Sequence, residues 1–169
     1  MREKEGKHMT IEEALNNKEF EKEYDVIIVN NDKPFTFTKE DYKTIEGKPY
    51  YTNAKKNRRS GEARAIISKN TLAIFTSKKI DYPAPMGWTK ELKEAKLFNK
   101  SHIIAYSLSA KKCDPDNIFI GTEYLNKTTM KNVEKDIYEN IKKDNRVYLY
   151  KVTPKYKTEN SSIPYAVLI

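Results

Sequence analysis

An α+β fold, a mostly antiparallel sheet flanked by helices, is what this sequence predicts, and three observations predict it. Short apolar runs bounded by turn residues recur at Tyr24–Val29, Ala63–Ser68 and Val147–Val152, the signature of strands in a packed sheet. One long segment, Glu123–Lys142, carries Met130, Val133, Ile137 and Ile141 at helical spacing, with Lys, Asp and Glu opposite. Between them runs a strand, a loop, a short strand and then that helix, the order of a ββα unit.

The elements follow in order. Residues 1–9 read as a flexible N-terminus and residues 10–169 as a single domain, long enough to bury a core. Thr10-Ile11-Glu12-Glu13 is a capping box, and Ile11, Leu15 and Phe20 extend a short helix to about Tyr24. The strand Tyr24–Val29 ends at Asn30–Pro34, and a short helix near Lys39–Ile45 follows Thr38. The basic run Lys55–Arg59 precedes two expected strands, Ala63–Ser68 and Thr71–Phe75. Asp81–Trp88 reads as a loop and Thr89–Lys96 as a helix. Leu97–Leu108 is an apolar, strand-like run containing His102. A loop at Lys111–Asp116, a short strand at Asn117–Ile120 and the long helix come next. Val147–Val152 is the last clear strand, closed by Thr153-Pro154. No repeat or low-complexity segment interrupts the chain.

Composition narrows the function classes. The hydrophobic share of 38% and charged share of 33% are polar for a globular protein but not those of a disordered one. A net charge of +8 attracts polyanions, nucleic acid or an anionic membrane, although a lysine-rich surface also serves solubility alone. Cys113 is the only cysteine, which excludes an internal disulfide and a thiolate metal cluster. Its polar, turn-like surroundings, Lys111–Pro115, argue against a catalytic thiol. No apolar run is long enough to cross a bilayer, and the charged start Met1–His8 has no apolar core of a signal peptide.

Chemistry concentrates around His102, one of two histidines; the other, His8, lies in the flexible start. A neutral imidazole takes up a proton near physiological pH. Downstream, Asn117, Asn126 and Glu134 offer amide and carboxylate oxygens, which suit a hard divalent cation such as magnesium. A base and a hard metal together suffice for phosphodiester hydrolysis. A ββα unit can set a strand histidine opposite a residue in the first helical turn, and a single protein ligand leaves most coordination positions to water and phosphate. Taken one at a time each residue has an ordinary alternative: a core histidine, a turn asparagine, a helix cap, an exposed helical glutamate.

Several blocks, in order, carry a family resemblance. They are Leu97–Ala105 with Asn99-Lys100-Ser101-His102, and Asp116–Asn126 followed by Met130 and Glu134. Upstream and downstream of these stand Val29–Phe35, Arg59–Ala65, Pro85–Trp88 and Val147–Pro154. From about residue 26 onward the chain resembles the DNA/RNA non-specific endonucleases of the ββα-metal (His-Me finger) superfamily. It is most similar to the secreted and DNA-entry nucleases of Gram-positive bacteria. The resemblance implies that His102 is the general base and Asn126 the direct protein ligand of magnesium, with manganese able to substitute. It implies that Glu134 holds a metal-bound water or a neighbouring side chain, that Asn117 supports the site by hydrogen bonding, and that Arg59 sits near the scissile phosphate. Two departures stand out. The family usually has arginine where this chain has Lys100, which keeps the charge but loses a bidentate fork on phosphate. The family pattern also continues past Ile163–Ile169 into further strand.

The expectation is therefore a magnesium-dependent, sequence-nonspecific endonuclease acting on DNA, and on RNA as a second substrate. It would leave 5′-phosphate and 3′-hydroxyl ends and bind through the phosphate backbone rather than a membrane. A secreted or cell-surface location goes with the resemblance. Two other readings stand beside it: a nucleic-acid-binding module whose nuclease centre is impaired at Lys100, and the nuclease domain of an antagonistic toxin held by an immunity protein.

Overall fold

The computed structural model describes residues 37–54, 59–74, 82–111 and 114–169. The helix expected at 10–24, the strand at 24–29, His8, Cys113 and most of the basic run before Arg59 lie outside them. The chain divides into two compact units, Met1–Tyr42 and Lys43–Ile169. In the first, Thr38 and Asp41 cap each other: the Thr38 amide and hydroxyl both donate to Asp41 Oδ2, at 2.7 and 3.0 Å, and the Asp41 amide returns a bond to Thr38 Oγ1. This reciprocal cap starts a single 3-10 turn, Asp41–Lys43, where the sequence predicts a longer helix.

The second unit holds the other described elements. Strands β1 (Tyr50–Ala54), β2 (Arg59–Ile67), β5 (Tyr148–Lys155) and β6 (Ala166–Leu168) form an antiparallel sheet in the order β1-β2-β5-β6. Strands β3 (Phe98–His102) and β4 (Ile118–Thr122) form a separate antiparallel ribbon. Among the described residues the α-helices are α1 (Lys90–Ala95), α2 (Tyr106–Ser109) and α3 (Lys131–Asp144), the last preceded by a π-helical turn at Leu125–Met130. The architecture is the expected one, a mixed fold of antiparallel sheets with few helices. No helix among the described residues is long and apolar enough to cross a membrane.

The core lies between the inner face of the sheet and the ββα unit. Ala63, Ala65, Ile67, Tyr150 and Val152 face Ile103, Ile104, Leu108, Phe119, Met130 and Ile141 in one buried cluster. Period-two alternation puts the sheet residues inward, and small side chains at Ala63 and Ala65 leave room for the larger partners. Met130 and Ile141 are buried, with Val133 and Ile137 packed against the cluster, so the stripe read from helical periodicity is the buried face of α3.

The alternation slips once. Between the pairs Tyr51↔Ala63 and Asn53↔Ser60, β2 has two residues, Gly61 and Glu62, opposite Thr52 alone. This is a bulge, and it turns Ser60 inward three residues before Ala63. Only glycine fits at 61, because a Cβ there would lie 2.5 Å from Thr52 Oγ1 and 2.9 Å from the Thr52 carbonyl oxygen.

Two expected strands differ in the structure. Thr71–Ile74 is not a strand: the Ser68 amide donates to Thr71 Oγ1 at 3.0 Å and the Thr71 amide and hydroxyl bond back to the Ser68 carbonyl, so local side-chain bonds close a turn instead. The run Leu97–Leu108 is strand only to His102, then loop, then α2. At its other boundaries the reading is close. Thr89 caps α1 by accepting the Leu92 amide, and Lys96 ends it in the left-handed region at φ 55°. β5 runs on through Pro154, which pairs with Val167 of β6 beyond the last β2 partner, Val152↔Ala63.

Candidate active site

His102 is the last residue of β3 and pairs with Ile118, the first of β4. The ribbon is drawn tight beside it. Ser101 is fully buried, and a Cβ at Gly121 would lie 2.4 Å from Ser101 Oγ, so a glycine is required where the strands cross-pack.

The chain leaves β3 under the control of Asn117. The Ile103 amide donates to the Asn117 carbonyl at 2.8 Å and the Ile104 amide to Asn117 Oδ1 at 2.8 Å, while Asn117 Nδ2 donates to the Ile104 carbonyl at 2.9 Å. The buried amide side chain thus pairs with Ile104 as a neighbouring strand would, satisfying backbone groups that would otherwise be stranded in the core. Asp114 sets the approach, accepting the Asp116 amide on Oδ1 at 3.0 Å and the Asn117 amide on its carbonyl at 3.0 Å.

From the opposite side, α3 presents Glu134. Both of its carboxylate oxygens lie 3.2 Å from His102 Nε2, and the glutamate is buried while the His102 side chain keeps 17% of its surface open. An ionised carboxylate only accepts, so Nε2 carries a hydrogen toward Glu134; in the neutral imidazole the lone pair is then on Nδ1. Glu134, expected to hold a metal-bound water or a neighbouring side chain, is in direct contact with the histidine. Behind it Tyr150 is buried with a hydroxyl that finds no partner among the described residues. Burial, and then the charge of Glu134, hold that hydroxyl well above the usual tyrosine range.

Asn126 lies in the π-helical turn Leu125–Met130, which packs against β3 and β4. Thr122 Oγ1 caps the turn by accepting the Leu125 amide at 3.1 Å. Widening a helix by a π turn re-aims its side chains and is frequent at functional sites. The Asn126 Oδ1 atom is buried with no hydrogen-bond partner among the described residues. A buried, unpartnered neutral oxygen is costly unless something binds it, and it is the donor type a hard cation takes. Among the described residues no group of three or more His, Cys, Asp or Glu could hold a metal ion. The donor set therefore fits a cation held by one amide oxygen and water rather than a cage of soft ligands.

The two cations assigned to phosphate from sequence take backbone carbonyls in the structure. Arg59 Nη1 donates to the carbonyls of Thr158, Glu159 and Ser161 at 2.8, 3.0 and 3.0 Å, and the guanidinium stacks 4.0 Å over the Tyr156 ring. Burial pushes the Tyr156 hydroxyl up to about 12, against the opposing pull of Arg59; that hydroxyl donates to the Ser60 carbonyl at 3.0 Å. Arg59 is still close to the ribbon, since its neighbour Ser60 donates to the carbonyl of Ile118, the partner of His102. Lys100 Nζ donates to the Tyr82 carbonyl at 2.6 Å, and the Tyr82 ring stands 6.3 Å from the His102 ring at a tilt of 39°. In the sequence Tyr82 reads as a loop residue. Nothing in its spacing signals a role, because the contact spans twenty residues and exists only in the folded ribbon.

Comparison with known proteins shows a family and a fold. The sequence model of the family described as DNA/RNA non-specific endonuclease matches residues 39–169. No curated protein matches the chain. Among solved structures, NucA from Streptococcus agalactiae with magnesium ion bound is similar over 81% of this chain and 68% of that one, at TM-score 0.64 and 17% identity. The same NucA with no metal bound is similar over 73% and 65%, at TM-score 0.56 and 19% identity. Sda1 nuclease with bound zinc ion is similar over 71% and 67%, at TM-score 0.52 and 21% identity. At these identities the likeness is one of fold, and this chain spans about two thirds of each neighbour.

Proposed function

Because the chain belongs to the DNA/RNA non-specific endonuclease family over residues 39–169, and is thus a nucleic-acid hydrolase, we propose that it cuts the phosphodiester backbone with His102 as general base and Asn126 as the protein ligand of magnesium. One observation carries this reading. The His102 ring is bonded through Nε2 to Glu134, and an unpartnered Asn126 oxygen lies in a turn packed against the same strand.

The side chains then divide the work. Glu134 accepts the Nε2 hydrogen, which fixes the tautomer and favours the imidazolium that forms when Nδ1 takes a proton from water. Asn117 holds the backbone directly after His102, so the ring enters each cycle from one position. Asn126 would hold magnesium, or manganese in its place, which when bound supplies Lewis-acid stabilisation of charge growing on the phosphate oxygens. Attack on phosphorus by the water freed of its proton breaks the bond to the 3′ oxygen and leaves a 5′-phosphate; the departing oxygen takes a proton from solvent water to become the 3′-hydroxyl. The net +8 charge holds the backbone without reading bases, which suits DNA and RNA alike.

Incubation of the protein with plasmid DNA and with RNA, in magnesium and in excess chelator, tests this. Cleavage in magnesium, its loss in chelator and its loss in His102→Ala are expected. Full activity in chelator would overturn the metal assignment, and an active His102→Ala the base.

A further inference from the structure

Two loops wall the His102 face of the ribbon, and each is pinned by a cation. Lys100 holds the loop from Tyr82 to Trp88 by its carbonyl at Tyr82, and Arg59 holds the turn Thr158–Ser161 by three carbonyls. The loops meet at Gly87, whose φ of 77° sits in the left-handed region and where a Cβ would lie 2.4 Å from Ser162 Cβ and 3.7 Å from Ile120 Cδ1. The first loop is stiffened again by Pro83, Pro85 and the bond from the Trp88 amide to the Pro85 carbonyl at 3.1 Å. What this scaffold holds in place is the backbone of Tyr82, a half-buried residue whose ring stands beside His102, tilted away from stacking on it.

Building on the nuclease reading, we propose that Tyr82 is a substrate-binding residue that stacks on a nucleobase next to the scissile phosphate, and that Lys100 is the positioning residue that holds it there. The water activated by His102 must sit against phosphorus, so a nucleoside flanking that phosphate falls beside a ring only 6.3 Å from the imidazole. An aromatic face accepts any base, because every base has a π-face, which suits a site that does not read sequence. A residue whose main chain is already held by Lys100 has only its side-chain rotation left to lose on binding. A base that stacks on Tyr82 is out of its duplex stack, so the preferred substrate is a single strand or a locally opened one.

The test is affinity for an oligothymidine strand, an abasic strand of the same length and a duplex, by fluorescence anisotropy at fixed salt and in chelator so that nothing is cut. Wild type should prefer thymidine to abasic, and Tyr82→Ala should erase roughly 5- to 100-fold of that preference, the fold-change equivalent of one base–aromatic stack. Tyr82→Phe should keep it. Abasic and duplex affinities should not move, which also shows that the variant is folded; Tyr82→Leu repeats the measurement with the bulk retained. Lys100→Met should weaken thymidine binding alone, with the salt slope unchanged. Equal losses on all three ligands, or none, would overturn the Tyr82 assignment, and a salt slope lower by about one in Lys100→Met would make Lys100 a phosphate contact instead. Cleavage in magnesium is scored separately. A protein that discriminates through Tyr82 yet cuts nothing would sink the hydrolytic reading and leave this one standing, and an active protein indifferent to Tyr82 would do the reverse.

Discussion

Glu134 meets His102 end-on, with both carboxylate oxygens 3.2 Å from Nε2, so the ring is tethered by one nitrogen and offers the other. Truncating the two partners should therefore have different effects. Under the proposed mechanism His102→Ala removes the base and should lower the cleavage rate by roughly two to four orders of magnitude, with DNA binding in chelator retained. Glu134→Gln keeps the shape but loses the charge that favours the imidazolium, and should lower kcat by a smaller factor. Single-turnover kinetics on one DNA substrate would separate them; a wild-type rate in His102→Ala would remove the residue from the mechanism.

Asn126 should govern the metal and little else. With one amide ligand, affinity should be modest and millimolar magnesium or manganese needed. Asn126→Ala should raise the magnesium concentration for half-maximal rate and lower the maximum. Its thermal stability in chelator should be equal to or above that of wild type, because the side chain replaced has a buried, unpartnered oxygen. A large loss of stability would mean that this oxygen is structural.

Asn117→Ala should damage the fold first and activity through it. It strands the buried amide and carbonyl of Ile104, each worth about 1–3 kcal/mol when left unsatisfied, so a loss of about 2–5 kcal/mol is expected in urea unfolding. Activity should fall even under conditions where the variant is fully folded, because the backbone after His102 loses its anchor. Wild-type stability would show that Asn117 does not clamp the backbone after His102.

Alkaline stability should depend on Tyr156. Its folded value of about 12 lies above the usual tyrosine value of about 10. Its contribution is therefore fully present below about pH 10 and is lost as pH rises from there through about 12. Tyr156→Phe should be less stable at neutral pH, losing the bond to the Ser60 carbonyl, and should show a shallower fall in stability across that alkaline range. Parallel curves for the two proteins would mean that another group controls the alkaline limb.

What the sequence determined by itself are the features whose causes are local. The stripe Met130, Val133, Ile137 and Ile141 marks the buried face of α3 because helical spacing puts those residues on one side. Thr89 starts α1 because its hydroxyl reaches the amide three residues on. The strand alternation around Ala63–Ile67 is equally local, and so are the blocks of residues that mark the family. Tertiary structure decided everything that depends on a partner far along the chain. Leu97–Leu108 reads as one apolar strand, but Asn117 captures Ile104 and ends the strand at His102. Thr71–Ile74 has the composition of a strand, but Ser68 and Thr71 bond to each other in a turn and the Ala73 amide donates to the Ser107 carbonyl in α2, not to a strand. Arg59 and Lys100 carry the charge that phosphate attracts, yet their ends are bonded to carbonyls 99 to 102 and 18 residues away along the chain. Charge is a property of a residue and can be read from it; the atom that charge meets is a property of the fold.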